Sequence, residues 1–83
     1  AGPEAAFARR VMLEEILIAL DELPRNQREV FVAHEIEGVS FKQMSATTGV
    51  GVNTLLTRKH EAVRHLRRKL RDIFDEYANS GSL

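Results

Sequence analysis

The residues best able to do chemistry lie between Lys42 and Arg71, a stretch with eight Lys or Arg and one acidic residue, Glu61. The preceding 41 residues carry four basic and eight acidic side chains, so the formally neutral chain divides into an acidic half and a basic half. Cations concentrated in one segment suit a polyanion better than a small-molecule substrate. Within the segment, Asn53, Thr54 and Thr57 are short polar groups at the entering end of a helix. Arg58 has the reach and fork geometry to meet O6 and N7 of guanine, or a phosphate. Lys59 and His60 lie alongside. Arg64, Arg67 and Arg68 stand farther along and suit phosphates, or a solvated face. Lys42 and Gln43, one helix earlier, suit the opposite wall of a DNA groove, and backbone N–H groups at both helix starts favour anions.

Other chemistries find little support. Glu14-Glu15 and Asp75-Glu76 are neighbours in sequence, which does not set two carboxylates across a cleft. His60 and His65 are five apart, a poor register for one helical face, and with Glu61 they form no closed ligand set for a metal. Gly49 and Gly51 lack the Gly-Lys-Ser/Thr continuation of a phosphate-binding loop. The expectation is therefore a protein with no catalytic residues, no metal and no cofactor. The absence of cysteine excludes disulfides and fits a reducing cytoplasm. The longest apolar run, residues 16–20, is too short to cross a bilayer. The opening Ala1-Gly2-Pro3 looks like a cut or tagged end, which leaves room for a preceding native region.

The elements that must position these residues read as helices. Residues 5–21 place Phe7, Val11, Leu13, Ile16, Leu17 and Leu20 on a broad apolar face. Pro24 opens a second helix, carrying Val30, Phe31 and His34 at helical spacing, and Gly38 ends it. His34, between Phe31 and Gly38 on the inner side of that helix, is expected to be a partly buried packing residue. Ser40 and Gln43 have the spacing of a reciprocal capping box. A third helix, Phe41–Thr48, turns Phe41, Met44 and Ser45 inward and stops at Gly49, suited to a left-handed cap. A long fourth helix runs from about Val52 or Asn53 to Tyr77, with Leu56, Val63, Leu66, Leu70, Ile73 or Phe74, and Tyr77 along its seam. The expected fold is all-α: a small bundle of four helices containing a helix-turn-helix. Residues 5–78 form one DNA-binding domain, with 1–4 and 79–83 as flexible ends.

Several linked motifs carry a family likeness. Leu23-Pro24-x-x-Gln27-Arg28-x-Val30-Phe31, Glu37-Gly38-x-Ser40-Phe41-x-x-Met44-Ser45, Gly49-Val50, Asn53-Thr54-Leu55, Arg58 and Ala62-x-x-x-Leu66 stand in the order and spacing seen there. Together they resemble the C-terminal domain of bacterial RNA polymerase sigma factors, the extracytoplasmic-function group most of all, over roughly residues 7 to 71. The resemblance implies a cytoplasmic transcription factor that recognises the −35 element of double-stranded promoter DNA and binds the flap of the core polymerase beta subunit. It also implies an anti-sigma protein as a possible partner; no membrane partner is expected, given the short apolar run. Its reading positions fall at Val52, Asn53, Thr54, Leu56, Thr57, Arg58 and His60, with Lys42 and Arg64 on the phosphate backbone.

The chain departs from the family pattern at three places. Gly51 stands where a Ser usually caps the recognition helix, Leu56 where a polar or basic reading residue is common, and Lys59 where the helix seam usually has leucine. The last two are compatible with a slightly rotated seam, or with Leu56 on a thymine methyl and Lys59 on a phosphate. Two other functions fit the sequence. One is a protein-interaction module with little DNA affinity of its own, using the acidic, apolar first helix. The other is the helix-turn-helix output domain of another regulator.

Overall fold

The computed structural model describes the backbone of residues 2–81 and the side chains of residues 2–76. Four helices, α1 (Pro3–Glu22), α2 (Arg25–Phe31), α3 (Phe41–Thr48) and α4 (Val52–Gly81), form an all-α bundle, and α2 runs on into a π-helical turn, Val32–Ile36. Helix α1 begins with Pro3 in its first turn, where a missing N–H costs nothing. It ends at Leu23, held extended (φ −70°, ψ 146°) because the ring of Pro24 crowds a helical residue before it. Pro24 is the cap of α2 rather than its first helical residue, and its carbonyl accepts from the N–H groups of Gln27 and Arg28, both at 3.0 Å.

Nothing in the sequence marks the π turn. Glu37 N–H donates to the Val32 carbonyl at 3.0 Å and Val39 N–H to that of Ala33 at 2.9 Å, before Gly38 turns the chain with a left-handed φ of 72°. Helix α3 follows the sequence expectation closely. Gln43 N–H donates to Ser40 Oγ and Ser40 N–H to Gln43 Oε1, each at 3.1 Å, and Gly49 closes the helix with φ 77°. Helix α4 then opens with Leu55 N–H donating to the Gly51 carbonyl at 3.1 Å.

Helix α4 is the spine of the bundle, since two apolar clusters meet on it. Ala19, Leu20 and Leu23 of the α1 end pack with Ala62 and Leu66, backed by Ile16 and Phe31. Val30 and Met44 enclose Leu55, flanked by Ala33, Val39, Phe41 and Val50. Ala19 and Ala62 are fully buried, which lets the backbones of α1 and α4 come close. Leu55, at 2% exposure, contributes roughly 1.5–3 kcal/mol by burial and locks the helix-turn-helix to α2. At the far end of α1, the Glu22 carboxylate faces His65 Nε2 at 3.5 Å and Lys69 Nζ at 3.6 Å.

The structure moves three expectations. The α4 seam passes through Leu55, Lys59, Ala62, Leu66 and Ile73, whereas Leu56 is only half-buried and Phe74 is exposed. On α1 the inner face is Ile16, Ala19, Leu20 and Leu23, and Phe7, Leu13 and Leu17 stand more than half exposed. The helices also reach farther than expected, from Pro3 and on to Gly81. Tyr77 lies outside the described side chains, and Ala1, Ser82 and Leu83, within the expected flexible ends, lie outside the described residues. No helix among the described residues is long and apolar enough to cross a membrane.

Candidate nucleic-acid interface

Burying Leu55, Ala62 and Leu66 turns the opposite side of α4 to solvent. Asn53, Thr57, His60, Arg64, Arg67, Arg68 and Arg71 are all exposed, and their three- and four-residue steps put them on one outward stripe. The first two turns of the stripe carry short polar groups and the later turns carry guanidinium groups. Val52 and Thr54 are exposed beside it at the helix start. Thr57 Oγ1 donates to the Asn53 carbonyl at 3.0 Å, which leaves its oxygen lone pairs to accept from a base or a water. Arg64 meets Glu61 at 3.6 Å, with 68% of its side chain in solvent; such exposed pairs hold weakly and give way readily to a phosphate.

One helix earlier, Lys42 and Gln43 are exposed at the start of α3. The Gln43 amide oxygen is occupied by the Ser40 N–H and hydroxyl at 3.1 and 3.2 Å, so what Gln43 can offer a ligand is its amide N–H₂ donors. Val52, Asn53, Thr54, Thr57 and His60 are therefore brought together with Arg64 and Arg67 on one accessible ridge, with Lys42 and Gln43 exposed on the neighbouring helix.

Three of the expected residues lie elsewhere. Leu56 is half-buried on the flank of the ridge. Arg58 is half-buried too, and it lines a groove with Asn26, Glu29, Glu37 and Thr48, between the second helix and the turn of the helix-turn-helix. Lys59 is turned in, with its side chain 14% exposed. Its ammonium donates to Glu35 Oε1 and bonds His34 Nδ1, each at 2.5 Å, and sits 5.7 Å above the centre of the Phe41 ring. His34 stacks on that ring with centroids 4.2 Å apart and planes 22° from parallel. The hydrogen bond from Lys59, and after it the ammonium charge, holds the Glu35 carboxyl below the usual glutamate range. Arg71, not singled out from the sequence, extends the outward stripe; its spacing of seven from Arg64 is the signal that marks it.

An exposed, polar-tipped helix start on a rigid three-helix support, continuing into a cationic stripe, is the arrangement that enters a DNA groove and rests on its phosphates. A family model described as sigma-70, region 4, matches residues 13–66. The ECF RNA polymerase sigma factor SigE of Mycolicibacterium smegmatis is similar as well, 33% identical over 79 residues that cover 95% of this chain. The chain spans 31% of the length of that relative.

Proposed function

The chain belongs to the sigma-70 region 4 family, and on that basis we propose that it recognises the promoter −35 element as the C-terminal domain of an ECF-type sigma factor. The domain is a DNA-binding module of transcription and not an enzyme. The observation that supports the groove-reading role most directly is the exposed ridge from Val52 to His60, held on the Leu55–Met44–Val30 core and flanked by arginines. Asn53, Thr54 and Thr57 face base edges in the major groove. Val52 and His60 border them, Lys42, Arg64 and Arg67 rest on phosphates, and the Gln43 amide donates from α3. Arg58, set back beside α2, reaches the phosphate backbone at the groove edge rather than guanine. Residues 5–78 act as one binding unit.

A second role belongs to α1, where Phe7 is 60% exposed, Leu13 59% and Leu17 58%. That much apolar surface on one helix suits a protein partner. In this proposal it meets the flap of the polymerase beta subunit, or an anti-sigma protein that competes for it. Docking on polymerase raises the local concentration of the ridge over the promoter, so modest intrinsic DNA affinity suffices. Family membership displaces the reading as an output domain of another regulator.

Selection of duplexes from a random pool, with the chain tethered to core polymerase, tests the proposal. Recovery of one upstream hexamer-like element is the expected outcome. Absence of any enrichment, with tight flap binding retained, would leave the interaction role alone standing.

A further inference from the structure

The contact in the bundle that packing explains least is the Lys59 clasp. Its neighbours along the α4 seam are apolar, Leu55, Ala62 and Leu66, and a leucine at 59 would pack there without desolvating a charge. Instead the ammonium is held by two consecutive residues of the π turn, His34 and Glu35, and the imidazole among them is stacked on Phe41 at the start of α3. One side chain thus ties together the end of α2, the first turn of α3 and the second turn of α4.

We propose that Lys59 is a positioning residue for promoter reading: its clasp with His34, Glu35 and the His34–Phe41 stack fixes the rotation of the opening turns of α4. The inference rests on the −35-reading function proposed above. The apolar seam resists separation through many weak contacts, each of little direction by itself. Hydrogen bonds from one ammonium to two acceptors are directional. Lys59 lies between Thr57 and His60, so a roll about the α4 axis moves those two side chains directly. The π turn points the same way. Such turns interrupt a regular ladder, often at functional positions, and this one carries both acceptors in its middle.

The clasp also requires a free lone pair on His34 Nδ1, since a proton there would set a second cation against the ammonium. The groups around the imidazole are the Lys59 ammonium from α4, the Phe41 ring from α3 and, on its own turn, the Glu35 carboxylate 3.8 Å away. The positioning role therefore predicts that discrimination survives a change at 34 that keeps an acceptor for Lys59 and falls with one that removes it, a contrast a purely structural lysine would not produce.

The test uses the 83-residue chain tethered to core polymerase, a duplex that the wild-type chain so tethered enriches from a random pool, and a scrambled duplex of equal composition. Lys59→Leu is expected to keep its helix content and melting temperature while the specific-to-scrambled affinity ratio falls about fivefold, close to 1 kcal/mol. His34→Gln keeps an acceptor for Lys59 and is expected to retain the ratio, whereas His34→Leu removes the acceptor and is expected to lower it. An unchanged ratio in Lys59→Leu would overturn the proposal. Should that variant not fold, a His34→Leu ratio matching the wild type would overturn it instead. A wild-type chain that enriches no duplex at all would count against the −35-reading function itself.

Discussion

Glu35 Oε1 and Lys59 Nζ meet at 2.5 Å across the junction of the π turn and α4, with the glutamate side chain half in solvent and the lysine nearly covered. The lysine bond lowers the Glu35 carboxyl below its ordinary range. A lowered carboxyl contributes stability that is complete above the unfolded-chain value, about pH 4.3 for glutamate, and is lost as pH falls through the folded-state value. Thermal melts of the wild type and Glu35→Gln are therefore expected to differ at neutral pH, with the wild type more stable, and to converge in acid below the ordinary glutamate range. A constant difference across that range would contradict the assignment.

Leu55 and Leu56 are adjacent in sequence but unequal in packing. Leu55→Ala empties a site enclosed by Val30 and Met44 and should cost about 2–5 kcal/mol. Leu56→Ala, on the flank of the ridge, should cost about 1 kcal/mol or less. Urea denaturation of both variants measures the contrast.

Gly49 and Gly51 bracket the turn with different needs. Gly49 has φ 77°, and a methyl group added there would meet only open space, so Gly49→Ala should lose about 1–2 kcal/mol through backbone strain alone. Gly51 has no left-handed φ and the same open space. Gly51→Ser should therefore gain a few tenths of a kcal/mol by capping α4. Melting temperatures moving in opposite directions would bear this out.

Arg67→Ala should weaken binding to every duplex by a similar factor and reduce the salt slope by about 0.9, one phosphate's share. Asn53→Ala should leave that slope unchanged and cost about 1–3 kcal/mol on the preferred duplex only. Titrations at two salt concentrations separate the two outcomes.

The parts legible in the sequence are those fixed by neighbours a few residues apart. Ser40, Gln43 and Gly49 announce α3 because a capping box and a left-handed glycine are local geometry, and both are present as expected. The phase of α4 is harder to read. With leucines at both 55 and 56, the periodic pattern admits either one as core, and only the packing of Val30 and Met44 decides for Leu55. Lys59 follows from that phase: a cation in sequence looks solvated until its partners, 24 and 25 residues away, are located. The π turn is invisible for a related reason, since nothing in Val32-Ala33-His34-Glu35-Ile36 forbids an ordinary α-helix. The exposed leucines of α1 mislead because periodicity records which residues are apolar, not which of them find a neighbour within the bundle.

Helix α4 runs unbroken from Val52 to Gly81, and a rod of that kind transmits tilt. From Leu66, where α1 grips it, to Val52 is about 21 Å at 1.5 Å per residue. A swing of about 3° at that fulcrum would carry the tip sideways by about 1 Å, enough to misalign a hydrogen bond to a base. The packing of Leu55 against Val30 and Met44, three residues from the tip, is what holds such a swing in check.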